Sequence, residues 1–559
     1  MAGARPTRYR NAEEVAHYLQ SLPEEESGDS DDEIPITTDD PAPAAAVSSD
    51  EDDVDSVSLD RAVDEQVLQR VVARDGTEWT KISDNRIRGQ TPRLNVFRAN
   101  IGPTPYAIRG IRMNSPLSAF RLFVDEPMIR SIQRHTNSHI QATESPASPV
   151  TPDHLEQFIG LQIARGVLCA SNTSVKALWD KQWGPPLFSN TMSRNLFECT
   201  MQNVRFDDRQ RRRCRLREDR FCLVSEVWDS FVTNCQRCYI PSAELTIDEQ
   251  LFPCKTRCPF TQYMASKPDK FGLKFWFLVD NNSKYLYNAR PYLGRDPTRR
   301  AGNDVPHDVC MKLMQPLYDM GYNVTTDNFF SSLKLANALA EKNTSIVGTV
   351  RRQRREIPDG ETLMRQRDLH ASEIYSTTRN GITTSLTIYK AKRNKIVYLL
   401  STMHPTVSID TCHSKKLPET IAMYNRTKVG VDVLDQMARY FTCKSGTRRW
   451  PMAFFFNILD ISCINAWVLY QEVTGQRIPR RDFLLQLVME MCRPTQSPTR
   501  ISLSVSDAAS PSRHHCQIME SGTRCKNKSN HLCQSCSSFC CGRHIGDKAV
   551  VVSCVNCAQ

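Results

Sequence analysis

From about residue 115 the chain arranges apolar and polar positions with two periods, and the switch between them marks its organisation. SPLSAFRLFVDEPMIRSIQRHTNSHI repeats apolar residues at spacings of three and four after a Ser-Pro start, which predicts helix. A Pro/Ser loop, ESPASPVTPDH, separates it from LEQFIGLQIARGVL, again helical. The basic stretch RFDDRQRRRCRLREDRF then leads to another helix, LVSEVWDSFVTNCQRC. Residues 111–243 therefore read as a helical region.

Residues 244–355 change character. LTIDEQL reads as a first strand, and GLKFWFLVD and KYLYNARPY as a second and third joined by the turn NNS. VPHDVCMKLMQPLYDM predicts a helix, YNVTTD a fourth strand, SSLKLANALAEKN a helix and TSIVGTV a fifth strand. The order β-β-β-α-β-α-β is that of an RNase H-like core, in which the first strand lies beside the fourth. SEIYSTTR, TTSLTIYK and KIVYLLST then alternate as strands and predict a small β insertion over residues 356–418. A helix over 419–441, TIAMYNRTKVGVDVLDQMARY, returns to the core, and further helices run through 442–495. The apolar stretch WPMAFFFNILDISCINAWVLY carries Asn457, Asp460 and Asn465, which a membrane span tolerates poorly, so it predicts a buried core helix. A Ser/Pro linker spans 496–513 and a cysteine-rich segment 514–559. Residues 1–110 are expected to be mostly disordered, because SGDSDDE and VSSDEDDVDS are poor in apolar residues and rich in charge. The fold class expected is multidomain α/β.

Charge sharpens this picture. The net charge of +10 conceals a split: residues 11–60 hold 17 Asp/Glu and no Lys or Arg, which leaves residues 61–559 at +24. An acidic tail on a basic body suggests a polyanion partner, with a solubilising tail as the plainer reading. Ser27, Ser30, Ser48 and Ser49 lie in settings that suit an acid-directed kinase. Arg209, Arg211, Arg212, Arg213, Arg215 and Arg217 form the densest basic run, joined by RRQRR at 351–355 and TRR at 298–300. Such runs serve phosphate binding or nuclear import, so a nuclear location is expected. MAGARPTRYR lacks the apolar region of a signal peptide, and 21 cysteines without one point to reduced thiols or metal sites.

Three carboxylate stations carry the chemistry. Asp248 sits inside a β-branched strand, Asp327 where a strand stops, and Asp432 and Asp435 three apart on one helix face. Acids converging from rigid elements suit a pair of hard divalent cations, Mg²⁺ or Mn²⁺, roughly 4 Å apart. Alone, each acid reads as a cap, a turn residue or a surface charge. Apolar neighbours at every station favour a site, and the basic body points to phosphodiester chemistry on nucleic acid.

A second cluster holds Cys516, Cys525, Cys533, Cys536, Cys540, Cys541, His544, Cys554 and Cys557. Its paired spacing suits two tetrahedral Zn²⁺ ions in a cross-brace like that of RING and PHD modules, where pairs one and three share one ion and pairs two and four the other. Arg513, Arg524, Lys526, Lys528 and Arg543 favour a polyanion contact; a protein-binding role competes. A ribbon built from Cys235, Cys238, Cys254 and Cys258 is the rival metal site, against which we expect structural thiols.

LTIDEQ, RCPF, KPDKFGLK, PYLGR, TTDNFFSS, IVGTVR, REIP, YNRTKVGVDVLDQM and RRWPMA follow one another in the order seen in piggyBac transposases, which the chain resembles over roughly residues 115–500 and again at its C-terminal cysteines. RFDD and TMSRNLFE match upstream. The resemblance implies a DDE/D cut-and-paste DNA transposase that acts through a hairpin intermediate, inserts at TTAA and works as a homodimer on double-stranded DNA. Asp248, Asp327 and Asp432 match the three catalytic aspartates, and Asp435 the fourth acid. Residues 111–243 and 442–495 become two parts of a dimerisation and DNA-binding domain. Trp450, Arg449, Arg448, Lys270 and Lys274 become expected DNA contacts, although a core anchor is an equal reading of Trp450. The resemblance favours Cys541 over Cys540 as a zinc ligand, giving Cys516, Cys525, Cys533, Cys536, Cys541, His544, Cys554 and Cys557. Arg448 and Val429 depart from the family's usual Asn and Gly. The alternative function is a domesticated relative that binds DNA or chromatin without cutting; an interaction protein with a relic catalytic domain is another.

Overall fold

The computed structural model describes residues 70–82, 96–143, 148–265, 267, 269–294, 304–410, 414–493, 514–520, 523–529, 539–541, 543–547 and 553–554. These fall into two compact units, Met1–Pro494 and Thr495–Gln559. The serines of the acidic tail and TRR at 298–300 lie outside the described residues.

The first unit is built on one sheet of eleven strands. The strands are β1 (Arg70–Val72), β2 (Glu78–Lys81), β3 (Glu244–Pro253), β4 (Thr261–Tyr263), β5 (Phe271–Asp280), β6 (Leu286–Pro291), β7 (Asn323–Thr326), β8 (Ser345–Thr349), β9 (Ser372–Arg379), β10 (Ile382–Lys392) and β11 (Lys395–Ser401). Their order is β1-β2-β9-β10-β11-β8-β7-β3-β5-β4, with β6 also paired to β5. Strand β3 runs parallel to β7, with Ile247 opposite Thr326, and antiparallel to β5, with Asp248 opposite Phe277. The expected neighbours, first strand and fourth, are thus side by side.

The expected β insertion is not a separate body. β11 pairs antiparallel with β8, so β9, β10 and β11 continue the same sheet. The outer edge of β8 presents unpaired N–H and C=O groups, and a neighbouring strand satisfies them.

The N-terminal region differs from expectation too. Within the stretch expected to be mostly disordered, residues 70–82 form the hairpin β1–β2, which pairs with β9. An Asp-Gly turn makes it: Gly76 has φ +90°, and Thr77 N donates to Asp75 Oδ1 at 2.9 Å. Trp79 is fully buried, and its Nε1 donates to Glu356 O at 2.9 Å. A helix at Pro105–Gly110, capped by Thr104, also lies in this region.

Helices enclose the sheet: α1 (Glu126–Ala142), α2 (Pro152–Val167), α3 (Arg194–Asn203), α4 (Ser225–Cys238), α5 (Val305–Met314), α6 (Leu333–Ala340), α7 (Glu419–Thr427), α8 (Gly430–Tyr440), α9 (Trp450–Thr474) and α10 (Arg480–Met491). Among the described residues, α9 is long and apolar enough to cross a membrane, yet it is almost wholly buried in the core, as expected. Asn457, Asp460 and Asn465 explain why it belongs there, because each finds a partner inside the protein. Asn457 Nδ2 donates to Gln250 Oε1 at 2.8 Å, and Asn465 exchanges hydrogen bonds with the backbone of Leu286. Asp460 accepts from Thr442 Oγ1 and Cys443 N. Gly475, with φ +70°, ends the helix.

The second unit contributes short strand pairs: His514–His515 with Lys528–Ser529, Met519–Glu520 with Thr523–Arg524, and Ile545–Asp547 with Ser553–Cys554.

Candidate active site and metal centre

Strand alternation sends Thr246, Asp248 and Gln250 to the face of β3 covered by α7 and α8. Thr246 Oγ1 donates to Thr427 O at 2.6 Å, and Gln250 Nε2 to Asp435 Oδ1 at 2.9 Å, which fixes that face. Asp327 follows β7 directly, one step beyond the Ile247–Thr326 pair, so it falls level with Asp248. Its turn is locked: Phe329 N donates to Asp327 Oδ1 at 3.0 Å, and Ser331 Oγ donates to Asp327 O at 2.8 Å. Asp432 lies in the first turn of α8. That helix starts hard against β3 at Gly430, where a Cβ would meet Thr246 Oγ1 at 2.6 Å. The departure at Val429 therefore spares the glycine that the packing needs.

One group lies within electrostatic reach of all three acids. The Tyr424 side chain, on α7, feels the charges of Asp327, Asp248 and Asp432, and its hydroxyl is 3.3 Å from Thr349 Oγ1. Burial first, then those charges, raises its pKa, so it remains a protonated donor. Sequence reasoning did not single out Tyr424; its place in YNRTKVGVD, on the helix preceding Asp432, was the available signal.

The acids themselves hold excess negative charge. Burial pushes Asp248 up, and the charges of Glu249 and Asp327 add to it. Burial and Glu249 push Asp327 up to about 6, against the backbone N–H groups of Phe329 and Phe330 and the charge of Arg351. Half-buried Asp248 and Asp327, whose charges repel, together with exposed Asp432, offer oxygen donors that fit hard divalent cations.

Asp435 is placed differently from its partner in the D-x-x-D pair. Gln250 Nε2 binds its Oδ1, and Arg439 Nε binds its Oδ2 at 2.9 Å. Arg439 continues to Asp269 at 2.7 Å and to Leu251 O at 3.1 Å. Asp435 thus ties α8 to β3, and through Gln250 to Asn457 on α9.

The expected DNA contacts separate. Trp450 is only 1% exposed and packs against Phe260, Phe454 and Phe221. No face of it is open for a base to stack on, so the core-anchor reading replaces the DNA-contact one in this conformation. Arg449 is likewise structural: its Nη1 and Nη2 donate to Val204 O at 2.6 Å and Met201 O at 2.8 Å, closing the C-terminal end of α3. Arg448 and Lys270 are exposed. Lys274 is largely buried, 3.8 Å from Glu249 and 5.1 Å above the Phe329 ring. In the basic run, Arg212 is buried in a two-bond pair with Asp207, while Arg211 is exposed beside Asp208.

In the second unit, Cys516, Cys525, Cys541 and His544 bring their ligand atoms within 4.8 Å of one another. These are the first and third pairs of the expected cross-brace, and Cys540 is not in the group. Asn527 Nδ2 and Cys541 N donate to Cys541 Sγ and Cys516 Sγ, each at 3.4 Å, and the Asn527 bond lowers the Cys541 pKa, which favours the thiolate a metal needs. Cys533, Cys536, Cys557 and the side chain of Cys554 lie outside the described residues. Among the described residues, neither the three aspartates nor Cys235, Cys238, Cys254 and Cys258 close to that spacing. Burial instead pushes the Cys235, Cys238 and Cys258 thiols up, as in inert core cysteines.

A family model described as Transposase IS4 matches residues 115–467. The fold also matches a piggyBac transposase synaptic complex with hairpin DNA solved by cryo-EM, with TM-score 0.66 and 30% identity over 82% of this chain and 100% of that one. This chain belongs to the piggyBac transposase family. Its human relatives in that family include PiggyBac transposable element-derived protein 3, 21% identical over 67% of this chain, and PiggyBac transposable element-derived protein 2, 23% identical over 69%. A Chimeric ERCC6-PGBD3 protein is 21% identical over 67% of this chain. The match spans 64% of the first relative's length and 36% of the chimera's.

Proposed function

We propose that this piggyBac-family chain is a metal-dependent DNA transposase that cuts transposon ends through a hairpin intermediate and integrates at TTAA. The level placement of Asp248 and Asp327 on neighbouring strands, with Asp432 in the first turn of the helix packed on β3, carries this reading. The sheet order around β3 supports an RNase H-like core. Asp248, Asp327 and Asp432 would hold two Mg²⁺ or Mn²⁺ ions, with Asp435 holding α8 in register. Bound there, the ions would lower the pKa of an attacking water or 3′-hydroxyl and stabilise the leaving oxygen. The chain's own contribution is placement. The locked turn after β7 aims Asp327, and the Gly430 contact sets Asp432 against β3. Tyr424 offers a neutral hydroxyl that can hydrogen-bond a phosphate oxygen without adding charge.

The same reading assigns one Zn²⁺ to Cys516, Cys525, Cys541 and His544, and a second to Cys533, Cys536, Cys554 and Cys557 in a RING/PHD-like cross-brace. It places the protein in the nucleus, as a homodimer on double-stranded DNA. The test is Mg²⁺-dependent cleavage of the element's own terminal repeats by the full chain. Wild type should cut and Asp327→Ala should lose about a thousandfold or more of that rate. Equal cutting by both would remove the site assignment. Tight end binding with no cutting by wild type would favour the DNA-binding alternative.

A further inference from the structure

On the face of the sheet opposite Asp248, an open cleft of about 450 Å³ is lined by Gln262, Lys274, Trp276, Tyr292, Val305 and Phe329, with Pro306 and Asp304 at its wall. Register explains the composition. Trp276 lies opposite Glu249 and Lys274 opposite Leu251, so both point to the side that Glu249 faces. Trp276 and Tyr292 meet edge to face at 5.4 Å between ring centres. Lys274 Nζ stands 5.8 Å from the Trp276 ring and 5.1 Å from the Phe329 ring. Trp276 is 6% exposed, yet its Nε1 donor has no partner.

The cleft is coupled to the acids. Phe329 N donates to Asp327 Oδ1, so one cleft wall and one acid belong to the same turn. Glu249, paired with Lys274 across the cleft floor, is also the residue whose charge raises both Asp248 and Asp327.

We propose that this cleft holds an unstacked nucleobase of the DNA strand engaged at the three aspartates. This rests on the reading of the chain as a DNA-processing enzyme. The half-buried Tyr292 and Phe329 rings supply stacking surface that any base can use. The Gln262 amide can meet the carbonyl and ring-nitrogen acceptors on a base edge. Lys274 adds positive charge beside a strand whose phosphates are negative. A cleft of this size exceeds what one side chain fills and falls within the range of small-ligand sites.

The test uses the full-length protein, with Ca²⁺ replacing Mg²⁺ to slow cutting, and terminal-repeat DNA ending in an unpaired overhang. Each unpaired position in turn carries 5-iodouracil, which crosslinks to a stacked aromatic ring on near-ultraviolet irradiation. Crosslinks from wild type should map to peptides containing Trp276, Tyr292 or Phe329. Tyr292→Ala should bind the overhang DNA about tenfold more weakly and bind blunt duplex as wild type does. Crosslinks that map elsewhere, or a Tyr292→Ala protein that binds both DNAs like wild type, would overturn the proposal. If Tyr292→Ala loses blunt-duplex binding as well, the wild-type crosslink map decides. Absence of binding to either DNA by wild type would instead defeat the DNA-processing reading.

Discussion

At the level of single residues, charge state is the most accessible property of the site. A carboxyl whose pKa is raised by folding stabilises the fold while protonated, and that contribution is lost as pH rises. For Asp327 the loss spans from the ordinary carboxylate range to about 6, and Asp248, raised by burial and by its neighbours, follows. Divalent cations need the ionised acids, so their binding strengthens over the same rise. We expect Mn²⁺ to raise the melting temperature more at pH 8 than at pH 5.5, read by differential scanning calorimetry, and Asp248→Asn to flatten that difference. Asp460 gives a parallel case far from the site. Burial pushes it up to about 7, against the hydrogen bonds from Thr442 and Cys443. Asp460→Asn should therefore cost stability at pH 5 and recover most of it at pH 8.5, since the wild-type carboxyl ionises at a cost there. Trp450→Ala should destabilise by about 3–5 kcal/mol in chemical denaturation, the usual cost of emptying a buried aromatic site. The positions of the three aspartates on a strand, a strand end and a helix start were legible because apolar neighbours marked them as anchored. Trp450 was not, since a buried tryptophan and a stacking one have the same letter and the same helix start. Tyr424 escaped notice because a tyrosine at helical spacing reads as core.

At the level of elements, α8 depends on how closely its first turn approaches β3. Gly430→Ala places a methyl where Thr246 Oγ1 stands at 2.6 Å, and either the helix or the strand must shift. A cost of about 1–3 kcal/mol follows from overpacking. Since Asp432 is two residues on, we expect cleavage to fall well beyond that stability loss while duplex binding is kept, measured as cutting rate against gel-shift affinity. Gly430→Ala with wild-type cutting would mean that the approach is not needed. Apart from the short β4, the strands from Glu244 to Thr349 were legible from period-two alternation, and the β3–β7 pairing from the order of elements. The continuation of the sheet through β9–β11 was not, because alternation reports which face is buried but not which edge a strand joins. The hairpin at 70–82 carried a readable Asp-Gly turn, outweighed by the acidic composition upstream.

At the level of the molecule, the two units should respond separately to metal removal. Among the described residues, the small unit with Cys516, Cys525, Cys541 and His544 gathered around one point shows little apolar core besides them. A strong zinc chelator should abolish protection of residues 514–547 in hydrogen exchange while the main transition of the 70–493 region stays put; unchanged protection would argue against a bound ion. Spacing made the first and third pairs readable because ligand geometry is nearly independent of the surrounding sequence. The charge split was equally plain, but charge says which polyanion class is attracted and nothing of what is done to it. The eleven-stranded sheet also bears on how the chain is made. Hairpin β1–β2 must wait for β9, about 300 residues later, and β8 for β11. Contacts of such sequence separation fold slowly and leave strand edges open while synthesis continues. During translation the emerging half-sheet is therefore the species most in need of a chaperone: the sheet is complete only after residue 401 has left the ribosome, and its core only after α9 (Trp450–Thr474) has followed.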